Sequence, residues 1–335
     1  MKTLLLKTVC QTLVAFTLAS GASAVAADNP FLGHWALTIP GGGAGWLGVK
    51  EADGKLQGSI LWGGGSVVPV SSVKVEGDTL VVTRIYENRK KDASGKTVVT
   101  KETETIKATL AGTQLKLTTE REKADGSVTG KAAFTGKRIP PVGPAPDLSK
   151  VKFGDPIPLF NGKDLSGWKV MGGPSGWSAQ AGLLVNDAKQ EPGKHKSYAN
   201  IRTDREFEDF NLTLQARVPK GGNSGIYLRG IYEVQVADSY GQKADSHGIG
   251  GLYSRITPTE NPAKPAGEWQ TFDITLVNRH VTVILNGKKI IDNQPLLGCT
   301  GGALWADEFR PGPIYLQGDH TSVDYRDIVL RPVVR

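Results

Sequence analysis

Cysteine is almost missing from this chain. Two occur in 335 residues, Cys10 and Cys299. Cys10 falls in a stretch with the marks of a removable leader, so no internal disulfide is left to the mature chain and its stability has to come from buried area. Long apolar runs are also missing: the best, through Leu13 to Leu18, is far short of the roughly 20 residues that cross a bilayer as a helix. Helix-period segments longer than about ten residues do not occur in the second half, which argues against a βαβ or bundle architecture there. Positive charge exceeds negative only slightly, 40 Lys and Arg against 33 Asp and Glu. It is scattered, its densest cluster being Arg89, Lys90 and Lys91. Phosphate backbones need a concentrated basic stripe, so a nucleic-acid partner is excluded. The five histidines form no compact H-x-x-x-H pattern, and no ready-made zinc motif is present.

Short strands and turns are what the chain does have. Residues 1–27 open with Lys2 and Lys7, continue through the short apolar run and close on Ala24-Val25-Ala26. That order is a secretory signal peptide with cleavage near Ala26, and it predicts export to the periplasm or beyond. Residues 28–138 alternate apolar and polar side chains over Leu56–Trp62, Thr79–Tyr86, Val98–Ile106 and Gln114–Glu120, with turns at Asp53-Gly54, Gly77-Asp78, Ser94-Gly95 and Asp125-Gly126. Even spacing of this kind predicts an up-and-down antiparallel β-barrel or a small sandwich, of which the small barrel is the expectation carried forward. No convergent set of carboxylates or histidines stands out in it, so the barrel is read as non-catalytic. His34 beside Trp35 is read as a packed residue; Trp46 and Trp62, each next to glycine, are either barrel core or platforms for sugar rings.

Residues 139–158 hold six prolines in IPPVGPAPDLSKVKFGDPIP; proline cannot donate to a ladder, so this is a linker. From 159 to 335 strands recur at Trp177–Ala179, Leu183–Val185, Phe210–Arg217, Gln270–Val277, His280–Leu285, Lys288–Ile291, Ile314–Gln317 and Val323–Leu330, which predicts a two-sheet antiparallel jelly roll. Its centre is Gly221–Tyr240. There two β segments, Gly225–Arg229 and Tyr232–Val236, are punctuated by Gly230, as one kinked strand or a three-residue hairpin. Either way parity puts Tyr227, Glu233 and Gln235 on one face, opposite Ile226, Leu228, Val234 and Val236.

These segments also carry a resemblance. GNSGIYLRG (222–230), YEVQVADSYG (232–241), GGLYS (250–254), GEWQTFDI (267–274), VTVILNGKKI (281–290) and QGDHTSVDYRDI (317–328) together resemble the DUF1080, or 3-keto-disaccharide hydrolase, family. Gly33-His34-Trp35 resembles the G-x-W opening of lipocalin-like barrels on three residues alone. The first resemblance implies a concanavalin-like sandwich that cleaves glycosides already oxidised to a ketone at C3 of the sugar. A C3 ketone acidifies the C2 proton. A base can then remove that proton, the enolate expels the C1 substituent, and water adds to the resulting enone. Such chemistry needs a base, a partner for the enolate oxygen and an acid for the leaving oxygen.

The candidates follow from that list. Glu233 or His320 is the base, and Arg229, Gln235 or a divalent metal ion stabilises the enolate; Gln235, Asp238 and His320 are the metal-ligand candidates. Asn223, Ser224, Tyr227, Asp238, Tyr253, Glu268, Gln317 and Arg326 are expected to hold substrate. Each also has a plainer role. Arg229 or Arg326 could simply pair with Glu233, Asp238 could cap the Ser239-Tyr240-Gly241 turn, and Asn223-Ser224 could be turn chemistry. His195 and His247, in polar loops, are read as solvated. The expected partner is a 3-keto sugar or glycoside; the barrel is left to grip a partner or part of a glycan, and no protein partner is assigned. Two other readings stay open: a carbohydrate-binding sandwich in which Tyr227, Tyr253 and Trp305 are stacking platforms, and a conventional glycoside hydrolase using two carboxylates.

Overall fold

The computed structural model describes residues 29–334 except residue 192. The expected signal peptide lies outside the described residues. Apart from a 3₁₀ turn at Leu148–Lys150, the regular structure is antiparallel β throughout.

Residues 33–139 form a meander whose ends meet. Gly33–Thr38 pairs with Ala44–Ala52 on one side and with Val128–Ile139 on the other. The free edges are joined by one bent segment: Val68–Pro69 pairs with Lys55–Trp62, and Ser72–Glu76 pairs with Thr79–Lys91. Closure hides the ladder edges, as expected for a barrel. Alternation does the packing. In Gln114–Lys123, Leu115 and Leu117 point inward while Gln114, Lys116 and Thr118 stay exposed, and the inward set joins Trp35, Leu37, Leu47, Ile60, Leu80 and Ile106 in one core. Burying each such aliphatic side chain contributes roughly 1.5–3 kcal/mol.

The second half stacks two sheets. The larger runs from Trp177–Gln180 through Leu183–Asn186, Val323–Pro332, Phe210–Arg217, Gln270–Val277 and His280–Leu285 to Lys288–Pro295, and the smaller holds Trp168–Met171, Asn200–Thr203, Tyr315–Leu316, Asn223–Leu228 and Tyr232–Ala237. Phe210–Arg217 alternates buried and half-buried residues over its whole length, turning Leu212 and Leu214 toward Ile226, Val234, Phe272 and Ile274 in the inter-sheet core. Trp168 is anchored there too, donating from Nε1 to the Leu159 carbonyl at 2.7 Å.

The halves also touch. Ala44, Trp46 and Leu61 of the barrel belong to the second core. Trp46 lies so close to Gly298 that a Cβ there would come within 2.3 Å of its ring; it is thus core and not a sugar platform. His34 stacks on it at 5.4 Å, the packed role expected. The Pro-rich stretch is tied down at several points, with Pro140 and Pro146 accepting from Arg279 and Asn293 and Ile157–Pro158 pairing with Val323–Pro332. We retain residues 139–158 as the proposed division between the halves.

Candidate functional site

Three neighbouring strands of the smaller sheet build the site. Asn223–Leu228 and Tyr232–Ala237 form a hairpin with a three-residue turn, Arg229-Gly230-Ile231, in which Arg229 and Gly230 take positive φ. Tyr227 lies opposite Glu233 and Gly225 opposite Gln235. On the other side Tyr227 pairs with Tyr315, the two rings 4.6 Å apart. Parity turns Ile226, Leu228, Val234 and Val236 into the core and Tyr227, Glu233 and Gln235 to the outer face. That face is nonetheless buried, because loops at Gly64-Gly65 and Gly301-Gly302 fold over it and enclose a cavity of about 300 Å³.

Glu233 is only 2% exposed. Its carboxyl lies across the adjacent strand, where a Cβ on Gly225 would come within 2.2 Å of Glu233 Oε1, so glycine is needed at 225 for this pose. Burial in the low-dielectric wall raises the carboxyl to about 8. A hydrogen bond received from Tyr227 would hold it down. Tyr227 Oη, however, sits 2.9 Å from Glu233 Oε2 and 2.7 Å from the Gly301 carbonyl. A phenol has one proton, so Tyr227 donates to only one of these two acceptors at a time, and burial leaves the Glu233 carboxyl protonated below about 8. Glu233 is thus a neutral acid aimed along the cavity wall. Burial, with Glu233 and Tyr315 nearby, raises the Tyr227 phenol well above its ordinary value.

Around it stand polar groups with capacity to spare. Gln235 Nε2 donates to Asn223 Oδ1 at 3.0 Å, while Gln235 Oε1 and Gln317 Oε1 are buried with no partner among the described residues. A ligand bearing hydroxyl groups would satisfy both. Tyr253 closes one side, Asn200 holds the Tyr315 hydroxyl at 2.5 Å, and His320 stands half-buried at the mouth.

Of the residues expected from sequence, Glu233, Gln235, Asn223, Tyr227, Tyr253, Gln317 and His320 meet in this cavity. Five do not. Arg229 is carried away by the hairpin turn and donates to the Glu308 and Arg310 carbonyls. Ser224 points to the core face, bonded to Tyr325 Oη and the Gln317 carbonyl. Asp238 accepts from the Gly221 amide, at the base of the hairpin. Glu268 is exposed in a turn. Arg326 belongs to the other sheet, where it bonds Gln215 and covers Trp269 at 4.1 Å. Tyr227 is 1% exposed, too buried to serve as a stacking platform, and the Trp305 ring is covered by Arg310 at 4.0 Å.

The expected metal set changes for the same reason. Among the described residues Asp238 is not part of the ligand cluster that holds His320; instead His195 Nε2 lies 3.2 Å from Asp319 Oδ2, His320 Nδ1 lies 3.9 Å from it, and ligand atoms of the three fall within 4.8 Å of one another. Two imidazoles and a carboxylate suit a divalent transition metal. His195 is therefore not a merely solvated loop residue. Sequence reading also missed Tyr198, Asn200, Tyr315 and Asp319. The first two sit 25 and 23 positions ahead of the central hairpin and no local pattern marks them; Asp319 adjoins His320 and could have been found.

Residues 155–331 match the family described as a 3-keto-alpha-glucoside-1,2-lyase-like domain. A 3-keto-disaccharide hydrolase from Bacteroides thetaiotaomicron is 26% identical over 41% of this chain, and the chain spans 57% of that relative's length. Among solved structures, a Parabacteroides distasonis protein assigned to the glycosyl hydrolases is 30% identical, with 58% of this chain and 94% of that one covered and a TM-score of 0.44. The carbohydrate-binding module CBM66 from Bacillus subtilis is 10% identical, covering 48% and 93%, with a TM-score of 0.31.

Proposed function

Since the chain belongs to the 3-keto-alpha-glucoside-1,2-lyase-like family, we propose that its cavity cleaves 3-keto-glycosides by eliminating the C1 substituent and hydrating the enone. The neutral, buried Glu233 carboxyl carries this reading. An acid near 8 gives and takes protons close to neutral pH, where acid–base catalysis works best.

His320, at the mouth, removes the C2 proton. The C2–H electrons move through the C3 ketone as an enolate, whose oxygen needs a donor from the wall; the Gln235 amide nitrogen, which spends one hydrogen on Asn223, has a second to give. They then form the C1–C2 double bond as the C1–O bond breaks, and Glu233 protonates the departing oxygen. Hydration runs the same steps backwards: the Glu233 carboxylate takes a proton from water as its oxygen bonds C1, and His320 returns a proton to C2. The balance is one water consumed and one alcohol released. The sequence reading left Glu233 or His320 as the base; the burial that keeps the Glu233 carboxyl protonated to about 8 supports Glu233 as the acid and leaves His320 as the base.

We also propose, from the leader-like residues 1–27, that the chain acts outside the cytoplasm. The test of activity uses a 3-keto-glucoside, its C2-deuterated form and its unoxidised parent. Aglycone release from the keto form alone, slowed by deuterium, is the expected result. Equal cleavage of the parent with no isotope effect points to a conventional hydrolase, and binding without release to a carbohydrate-binding module.

A further inference from the structure

The glycine run Gly63-Gly64-Gly65 comes from the barrel, yet Gly64 and Gly65 line the sandwich cavity. The loop is fixed in place. Gly302 donates to the Gly63 carbonyl at 3.3 Å, Val67 donates to Ser254 Oγ at 2.9 Å, and Ser66 Oγ lies 2.8 Å from His247 Nε2. Gly65 and Gly301 meet backbone to backbone, with no room for a Cβ on Gly301, where one would fall 2.1 Å from the Gly65 carbonyl oxygen. On the barrel side of the same loop lies a second recess, of about 630 Å³, and Gly64 borders both. The partition between them is therefore a strip of backbone without side chains.

The recess has its own chemistry. Arg84 sits between the Trp62 and Tyr86 rings, at 5.6 and 4.7 Å, and Arg121 covers the other Tyr86 contact at 4.6 Å. Both guanidiniums converge on one carboxylate, that of Glu104, which is 3% exposed and also accepts from Tyr86 Oη and Thr119 Oγ1. Glu102 and Lys131 border the adjoining hollow, where Lys131 pairs with Glu120 at 2.7 Å and Glu102 stands opposite Lys123 on the neighbouring strand. Two guanidiniums against one carboxylate leave a positive charge in a half-buried recess.

We propose that this barrel recess is the leaving-group subsite of the sandwich cavity and that it selects aglycones or second sugars bearing a carboxylate. The inference rests on the cleavage of 3-keto-glycosides in the cavity. A volume of 300 Å³ is at the small end for ligand pockets, so the cavity takes the keto sugar and the C1 substituent has to leave it. The low Gly64 saddle is the way out toward the barrel, where Arg121, 37% exposed, donates to the acid.

The test compares full-length protein on the methyl, phenyl and 4-(carboxymethyl)phenyl 3-keto-glucosides; the last two release phenols of similar leaving ability. For the native chain KM should be roughly five- to tenfold lower for the carboxylate substrate than for the phenyl one, the worth of a half-exposed charge-assisted hydrogen bond. Arg121→Gln should bring that ratio to about one. Gly64→Trp, at a position with no left-handed φ and nothing within 4 Å of a Cβ, should raise KM for both aryl glycosides relative to the methyl one. Calorimetry with the unoxidised phenyl and 4-(carboxymethyl)phenyl glucosides reads the same preference without turnover. It therefore still reports on the recess if no keto-glucoside is cleaved, a result that counts against the cavity reading alone. Equal KM values in the native chain, equal heats, or a preference that survives Arg121→Gln would overturn the proposal.

Discussion

Replacing Glu233 by glutamine should make the protein more stable in alkali and nearly inactive at once. Glutamine keeps the shape of a protonated carboxyl, and its amide oxygen can still accept from Tyr227. In the native chain the carboxyl titrates at about 8 when folded against 4.5 when exposed. Below pH 4.5 both states hold the proton and nothing is lost. Between 4.5 and 8 the unfolded chain releases it and the folded chain keeps it, so folding stability falls by about 1.4 kcal/mol per pH unit, and the loss is complete as pH rises through 8. From pH 5.5 to 7.5 the native chain should lose about 3 kcal/mol relative to Glu233→Gln. Thermal melts or urea titrations of the pair at half-unit pH steps measure this. The gap should widen steadily and level off above 8. Turnover should meanwhile drop on the order of 10²-fold or more in the variant, with KM little changed, and native kcat should decline above pH 8 as the acid is lost. A stability gap that stays flat from pH 5 to 9 would refute the neutral, buried acid and the mechanism built on it.

Three further outcomes are expected. Gly225→Ala should cut kcat by at least about tenfold while leaving the β-sheet spectrum intact, because the new methyl occupies the place of the Glu233 carboxylate oxygen; unchanged kcat would mean the carboxyl's pose is immaterial. Exhaustive chelation should leave turnover intact if His320 is the base; if it abolishes turnover and one divalent cation restores it, and His195→Ala behaves likewise, His195, Asp319 and His320 hold a metal instead. Trp46→Ala should cost about 3–5 kcal/mol in denaturant unfolding and lower the melting of the sandwich as well as the barrel, since the indole belongs to the second core; a loss confined to the barrel signal would show that the halves fold independently.

The strands that the sequence marks most clearly are those whose two faces meet different solvents. Phe210–Arg217 and Gln270–Val277 are observed with the bounds that alternation predicts, because core on one side and a more open surface on the other impose period two. Alternation also placed Tyr227, Glu233 and Gln235 on one face without any knowledge of what covers it. Strands such as Ala44–Ala52 and Asn200–Thr203 were illegible, the first because it is buried on both faces for much of its length and so shows no clean period, the second because four residues are too few to show one.

What sequence alone determined is therefore local: the β class, the two central segments, their shared face and the residue types able to do acid–base work, while the choice of a hairpin over a kinked strand came from the structure. The tertiary structure decided which of them meet. A turn with positive φ at Arg229 sends that cation away from the site, and the other sheet removes Arg326. A loop 170 positions upstream seals Glu233 from water and so makes a neutral acid of it. Burial and proton ownership depend on what packs against a side chain, and that is set by contacts between residues far apart in the chain, which no local pattern encodes.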